Sequence, residues 1–319
     1  MGGILYFGPS IILLISSKGK FANAGWELMQ EFEDFVPQLT DDGSFTFFSA
    51  GYGESFHSNR GAREEALLKF VQPTFLAQAA KKPSLRILDI CYGLGYNTAA
   101  ALATIWAINS NCWVELVGLE LNPAVPQAAI AQQFLSWAGE SNQILRQLAT
   151  EHQVRTDRLN ATLLIGDARV TIGLVKQFGF QADAVFLDPF SPPHCPQLWT
   201  VEFLKQVSQC LCWDGRLATY SSAAAVRTAL LATGLQIGST SPVGRRSPGT
   251  VASWVTHDLP ALSQQEQEHL LTRAAIPYRD PQLCDSALVI LQRRQEEQQA
   301  SQLEPSSQWR KRHRLSLNN

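Results

Sequence analysis

Short apolar runs alternate along most of this chain with stretches whose apolar positions recur at helical spacing. The runs predict strands over residues 86–90, 113–119, 162–165, 182–187 and 216–220. The helical periods fall between them, over 98–109, 125–138, 143–153, 170–178, 201–211 and 223–232. Strand and helix taking turns in this way predict a doubly wound α/β fold, with a mainly parallel sheet covered by helices on both faces. Two further short strands, 235–239 and 250–256, lie close enough in sequence to close the sheet as an antiparallel hairpin. Ahead of this repeat, Asp41-Asp42-Gly43-Ser44 is a turn leading into the strand Phe45–Ser49. A loop over 51–58 follows, then a helix with apolar positions at Ala66, Leu67, Phe70 and Val71.

The first strand of the repeat runs through Asp89 into Cys91-Tyr92-Gly93-Leu94-Gly95 and then directly into an alanine-rich helix. Glycines at 93 and 95 let the backbone take unusual φ and ψ and approach a ligand closely, and the helix start that follows is a natural anion site. A dinucleotide fingerprint would place a third glycine three residues after the second, and none stands there. Glu120, ending the next strand, is suited to gripping two ribose hydroxyls. Asp167, in Gly166-Asp167-Ala168 after a third strand, stands where S-adenosylmethionine enzymes place an acid near the adenine amine. Helix capping is the competing account of both acids. Asp89, Glu120, Asp167 and Asp188 each follow a strand, so the fold predicts that they converge on one crevice at the carboxyl edge of the sheet. The last of them opens Asp188-Pro189-Phe190-Ser191-Pro192-Pro193-His194, a proline-stiffened loop that resembles those with which amino-methyltransferases hold a target amine. Asp188 is the candidate catalytic residue with Pro189 and Phe190 beside it, a turn cap being the alternative. Glu54 and His57, in the N-terminal loop, are candidates to line the site or to cap a helix.

Composition narrows the partners. A net charge of −2 and a pI near 6.3 exclude a general polycation, so any nucleic-acid contact needs local patches. Arg63, Arg227 and the pair Arg245-Arg246 are the candidates for gripping phosphates around a flipped nucleotide. The six cysteines show no C-x-x-C spacing, which predicts reduced thiols of a cytoplasmic protein and no metal site. The apolar stretch 4–16 is too short to span a bilayer and reads as a strand or loosely packed arm. Beyond Glu296 the chain turns rich in Gln, Ser and Glu and then basic, which predicts a disordered tail.

Several separated motifs, in order, are similar to one family. They are Asp-Gly-Ser-Phe-Thr-Phe-Phe-Ser (42–49), Gly-Glu-Ser-Phe-His-Ser (53–58), Gly-Leu-Gly-Tyr-Asn (93–97), Leu-Asp-Pro-Phe-Ser-Pro (187–192), Leu-Trp-Thr (198–200) and Leu-Ala-Thr-Tyr-Ser-Ser-Ala (217–223). Together they resemble the methyltransferase domain of tRNA 5-methylaminomethyl-2-thiouridine biosynthesis (MnmC-like) proteins, over about residues 39–254. The resemblance implies a Rossmann-like class I S-adenosylmethionine-dependent methyltransferase with a small N-terminal β/α addition. It implies S-adenosyl-L-methionine as cofactor and tRNA as partner, with methyl transfer to the aminomethyl group of the wobble uridine. It carries over Asp188 as the acid at the amine and Gly93, Gly95, Asn97 and Glu120 as cofactor contacts. The bifunctional members continue into a flavin-dependent oxidase, whose second dinucleotide fingerprint is not found here, so only the methyl-transfer half is expected. Competing readings are a small-molecule amine N-methyltransferase and a non-catalytic cofactor-sensing RNA-binding protein; an aminopropyltransferase would need a glycine-rich acid motif that this chain lacks. The expected organisation is an arm over 1–38, a hairpin and helix roofing the site over 39–84, the methyltransferase domain over 85–258, a helical extension over 259–295 and the tail over 296–319.

Overall fold

The computed structural model describes residues 35–132, 140–243 and 247–316. The apolar stretch 4–16 and the pair Arg245-Arg246 therefore lie outside the described residues.

The described residues begin with a small three-stranded antiparallel sheet, β1 (Pro37–Leu39), β2 (Phe45–Ser49) and β3 (Glu54–Ser55). Its first turn is fixed by Asp42, whose carboxylate accepts from the Ser44 amide at 2.9 Å while Gly43 takes φ 76°. Helix α1 (Ala62–Glu65) continues as a π-helical turn over Ala66–Val71, so the single helix expected here is wound more widely in its second half. A short α2 (Leu76–Ala79) leads to the main sheet.

In chain order the main domain contains β4 (Ser84–Ile90), α3 (Tyr96–Ile108), β5 (Trp113–Glu120), α4 (Ala124–Ala131), α5 (Ser141–Glu151), β6 (Gln153–Arg155), β7 (Leu159–Ile165), α6 (Ala168–Gln177), β8 (Ala182–Leu187), α7 (Val201–Ser208), β9 (Leu211–Thr219), α8 (Ala224–Ala232), β10 (Gln236–Ser239) and β11 (Thr250–Ser253). The eight strands lie in the order β10-β11-β9-β8-β4-β5-β7-β6. β9, β8, β4, β5 and β7 are parallel, and β10 and β11 close one edge as the expected antiparallel hairpin. At the other edge β6 pairs antiparallel with β7, a strand too short for its sequence pattern to announce. Strand order reverses between β4 and β8, which opens a crevice outside their carboxyl ends. The central strands are buried on both faces, with Ile87, Leu88, Leu116, Val185 and Phe186 fully enclosed, because helices cover the sheet front and back.

Two expectations are corrected. The C-terminal segment is not a disordered tail among the described residues. After α9 (Gln264–His269), α10 (Ala287–Ala300) and α11 (Ser306–Ser316) are helical, and α11 is tied down by Trp309 stacking on His269 at 4.4 Å and by Arg312 bonding Glu304 at 2.7 Å. One large aromatic side chain supplies the apolar contact that composition alone did not promise. Residues 278–285 brace the helices: buried Asp280 accepts from Arg169 of α6 at 2.9 Å, and Arg279 bonds Glu202 of α7 at 2.7 Å.

Arg227 is the second correction. Its side chain is 2% exposed and spent internally, on Glu266 at 2.8 Å, the Thr250 hydroxyl at 3.0 Å and the Gly249 carbonyl at 3.2 Å. It locks α9 to the edge hairpin instead of reaching phosphates. Breaking a buried ion pair leaves its partner without compensation, so Arg227→Met should lower the free energy of unfolding by about 3 kcal/mol. Urea titration that finds a loss below about 1 kcal/mol would contradict this role.

Candidate active site

The crevice is built on the glycine turn between β4 and α3. Cys91, Gly93 and Gly95 all take positive φ, at 64°, 56° and 86°. A Cβ at Gly95 would stand 2.7 Å from the Tyr92 hydroxyl, so the turn tolerates no side chain there. The turn aims the Gly93 amide at Glu120, whose Oε2 accepts it at 2.8 Å, while Oε1 accepts the Asn122 amide at 2.9 Å. Burial pushes the Glu120 carboxyl up, and these amides oppose the shift. Asp89, fully enclosed near the end of β4, accepts from the Thr98 hydroxyl at 2.7 Å through Oδ2. Its Oδ1 has no hydrogen-bond partner among the described residues. Burial raises this carboxyl to about 7, against the Thr98 hydrogen bond and with help from the Glu120 charge.

Opposite the turn stands the loop after β8. Asp188 accepts from the Asn97 side-chain amide of α3 at 3.0 Å, so the two most informative stretches of the sequence meet in one hydrogen bond. Burial pushes the Asp188 carboxyl well above the usual carboxylate range. The Asn97 bond opposes that shift, and the nearby Glu65 and Asp89 charges add to it. The carbonyls that follow are pinned from behind: Pro189 accepts from the Tyr220 hydroxyl at 2.8 Å and Phe190 from the Trp199 indole at 2.8 Å. Trp199 and Tyr220 meet edge to face at 6.0 Å. Neither was singled out as a site residue, although both lie in family motifs (198–200 and 217–223), and that was the signal available.

The N-terminal layer holds the loop from the front. The Glu54 carboxylate accepts the Ser191 amide at 2.9 Å and the Ser191 hydroxyl at 2.5 Å, and faces His194 Nδ1 at 3.1 Å. It thereby braces the loop after β8. His57 packs edge-on to Tyr96 at 5.3 Å, and burial pushes its ring down to about 4, so it stays neutral at neutral pH. Asp167 caps α6 by accepting the Arg169 amide at 2.9 Å and also bonds the Arg169 guanidinium at 2.7 Å. The capping account therefore holds for this acid, with Ala168 buried beside it, although it remains at the carboxyl end of β7. Arg63 lies half-buried on α1. Among the described residues, Asp183, Cys212 and Asp214 form a cluster of possible metal ligands, but both carboxylates are engaged by Lys82, at 2.9 and 3.2 Å.

The cleft fits S-adenosylmethionine. A turn with glycine at 93 and 95, an enclosed carboxylate held by backbone amides at the next strand end and an unpartnered oxygen on Asp89 make a set of polar groups suited to an adenosyl amino acid. Residues 132–254 match the family model described as S-adenosyl-L-methionine-dependent methyltransferase. The crystal structure of MNMC2 from Aquifex aeolicus superimposes with a TM-score of 0.73 at 31% identity, covering 92% of this chain and 97% of that one. An uncharacterized protein of Methanocaldococcus jannaschii is 30% identical over 83% of this chain and 72% of its own length. The tRNA 5-methylaminomethyl-2-thiouridine biosynthesis bifunctional protein MnmC of Ralstonia nicotianae is 32% identical over 70% of this chain, which spans 35% of that protein. Fold and cleft thus define a class I S-adenosylmethionine-dependent methyltransferase. Within that class, the chain belongs to the family of the MnmC methyltransferase domain.

The buried acid at the end of β4 makes stability depend on pH. Because Asp89 is raised to about 7 from 3.8, the unfolded chain loses this proton first as pH rises. Its burial therefore costs nothing below about pH 4, and the penalty grows through the window up to the folded-state value. In ligand-free protein, the stability difference between Asp89→Asn and wild type should move in the variant's favour from about pH 4 to about pH 8. A difference that stays flat across this range in chemical unfolding would show that the acid is not held protonated.

Proposed function

We propose that this methyltransferase acts on a primary amine, the aminomethyl group of the wobble uridine in tRNA, converting 5-aminomethyl-(2-thio)uridine to 5-methylaminomethyl-(2-thio)uridine. The observation that carries the reading is Asp188, a desolvated acid held by Asn97 at the junction of the glycine turn and a loop pinned through two carbonyls. The tRNA part rests on the relatives, whose names describe biosynthesis of this tRNA nucleoside.

In this reading Gly93, Gly95 and Asn97 shape the cofactor cradle, and Glu120 takes the ribose hydroxyls on lone pairs that its two backbone amides leave free. Asp89 serves the same ligand through Oδ1. Asp167 and Ala168 border the adenine side. S-adenosylmethionine supplies a methyl group on a sulfonium, open to in-line displacement. The chain's own tasks are to orient the amine and to take its proton. An alkyl amine has a pKa of about 10.4, so it arrives as an ammonium. Asp188 takes that proton as the carboxylate, the form that the charge of the entering cations favours, and its burial raises the carboxylate's proton affinity, which narrows the gap between the proton's donor and its acceptor. The Pro189 carbonyl, fixed by Tyr220, has a second lone pair that accepts from the amine, and Phe190 borders the acceptor base. Asp188→Asn keeps the shape and the Asn97 contact region but loses the acid. Single-turnover methylation of tRNA bearing the aminomethyl uridine, with cofactor saturating, should slow by about 100-fold or more while cofactor affinity stays within a few-fold. Rates near wild type would remove Asp188 from the mechanism.

Arg63 and the pair Arg245-Arg246 remain the proposed phosphate contacts. Charge reversal at 245 and 246 should weaken tRNA binding and reduce its salt slope by about 2, with cofactor affinity unchanged. An unaltered slope would make these arginines ordinary surface charge.

A further inference from the structure

The turn between β2 and β3 exposes Ala50, Gly51 and Gly53 to solvent, but the side chain of Tyr52 turns inward and is half-buried. Its ring stacks on Phe190 of the substrate loop, with centroids 4.3 Å apart and planes at 20°, and Phe56 meets the other part of Phe190 edge-on at 5.0 Å. The turn is held in place by the Tyr52 amide on the Ser49 hydroxyl at 3.4 Å and, two residues on, by the bonds from Ser191 to Glu54. A two-point attachment of this kind, one aromatic and one charged, sets the hairpin tip firmly against the loop that carries Asp188.

The far end of the ring is what matters. The ionisable groups that bear on the phenol are Cys195, Cys91, Glu120 and Asp167. They come from the substrate loop, the glycine turn, the end of β5 and the start of α6, which are the walls of the cofactor crevice. Burial pushes the phenol far above its ordinary value, so it stays a neutral donor. Among the described residues no acceptor takes its hydrogen, and Tyr52 donates only through its backbone amide. Phe56, packed on the same Phe190 ring, lies 3.6 Å from where a Cβ on Gly93 would stand, so this aromatic group borders the glycine turn, and a donor there with its ring fixed and its hydrogen unspent is matched to an acceptor atom on a ligand lying in that crevice.

We propose that Tyr52 is a further cofactor-binding residue: its hydroxyl donates to S-adenosylmethionine from above the cleft, and its stack on Phe190 ties cofactor occupancy to the pose of the substrate loop. The hairpin tip is then the roof of the cofactor and one wall of the amine site at once. This rests on the cofactor assignment and not on the identity of the methyl acceptor.

The test is calorimetric titration of the full chain with S-adenosylmethionine and with S-adenosylhomocysteine, for wild type, Tyr52→Phe and Tyr52→Leu. Tyr52→Phe keeps the stack and removes the donor, so it should raise both dissociation constants by about 5- to 20-fold. Tyr52→Leu removes the stack as well, so it should weaken cofactor binding further and also raise KM for the methyl acceptor, which Tyr52→Phe leaves within about twofold. Affinities in Tyr52→Phe within twofold of wild type, in a variant with unchanged thermal unfolding, would overturn the proposal even if Tyr52→Leu failed to fold. Wild type that binds neither ligand would instead overturn the cofactor reading itself, so the two failures are distinguishable.

Discussion

The hydrogen bond from Asn97 to Asp188 is the contact on which the architecture of the site depends. It joins the first turn of the helix after the glycine motif to the first residue of the loop after β8, across the point where strand order reverses. It forms only because the turn places Asn97 at the mouth of α3 and because the loop cannot drift. Tyr220 and Trp199 hold the loop's carbonyls from behind, and Glu54 holds Ser191 from the front. Each brace comes from a different element of the fold, so the loop's stiffness belongs to the domain as a whole and not to its prolines alone.

The same cleft gathers acids that burial disfavours as anions. Asp89, Glu120 and Asp188 are all pushed upward, by desolvation first, with the Glu120 charge adding to the shift of Asp89 and the Glu65 and Asp89 charges adding to that of Asp188. Such a cluster costs free energy in the ligand-free chain, and a cation entering it offsets that cost. The sulfonium cofactor is such a cation. The electrostatic arrangement therefore favours a cationic ligand.

How much of this was legible in the sequence depended on the length and regularity of each signal. The parallel core was readable because strands buried on both faces appear as continuous apolar runs, and the edge hairpin because its two strands are neighbours in the chain. The convergence of Asp89, Glu120, Asp167 and Asp188 followed from the topology. What the sequence did not reveal was how side chains spend their bonding capacity. Arg227 looks like a surface cation until Glu266, which is 39 residues further on, turns out to be its partner, and Asp167 shares its carboxylate with Arg169, two residues on. Composition suggested disorder near the C-terminus because it averages over residues, whereas one contact, Trp309 on His269, is enough to seat a helix. Tyr52 escaped notice for a similar reason, since nothing local marks the one residue of a turn that faces inward.

The central claim is that this cleft delivers a methyl group to the amine of a modified tRNA uridine. It is tested most directly by incubating purified protein with methyl-deuterated S-adenosylmethionine and tRNA that carries the 5-aminomethyl group, followed by mass analysis of the nucleosides. The account predicts one labelled methyl group on the exocyclic nitrogen of that uridine, and none on tRNA lacking the aminomethyl group. Label on ring positions, or efficient labelling of free small amines with the tRNA left unmodified, would contradict it.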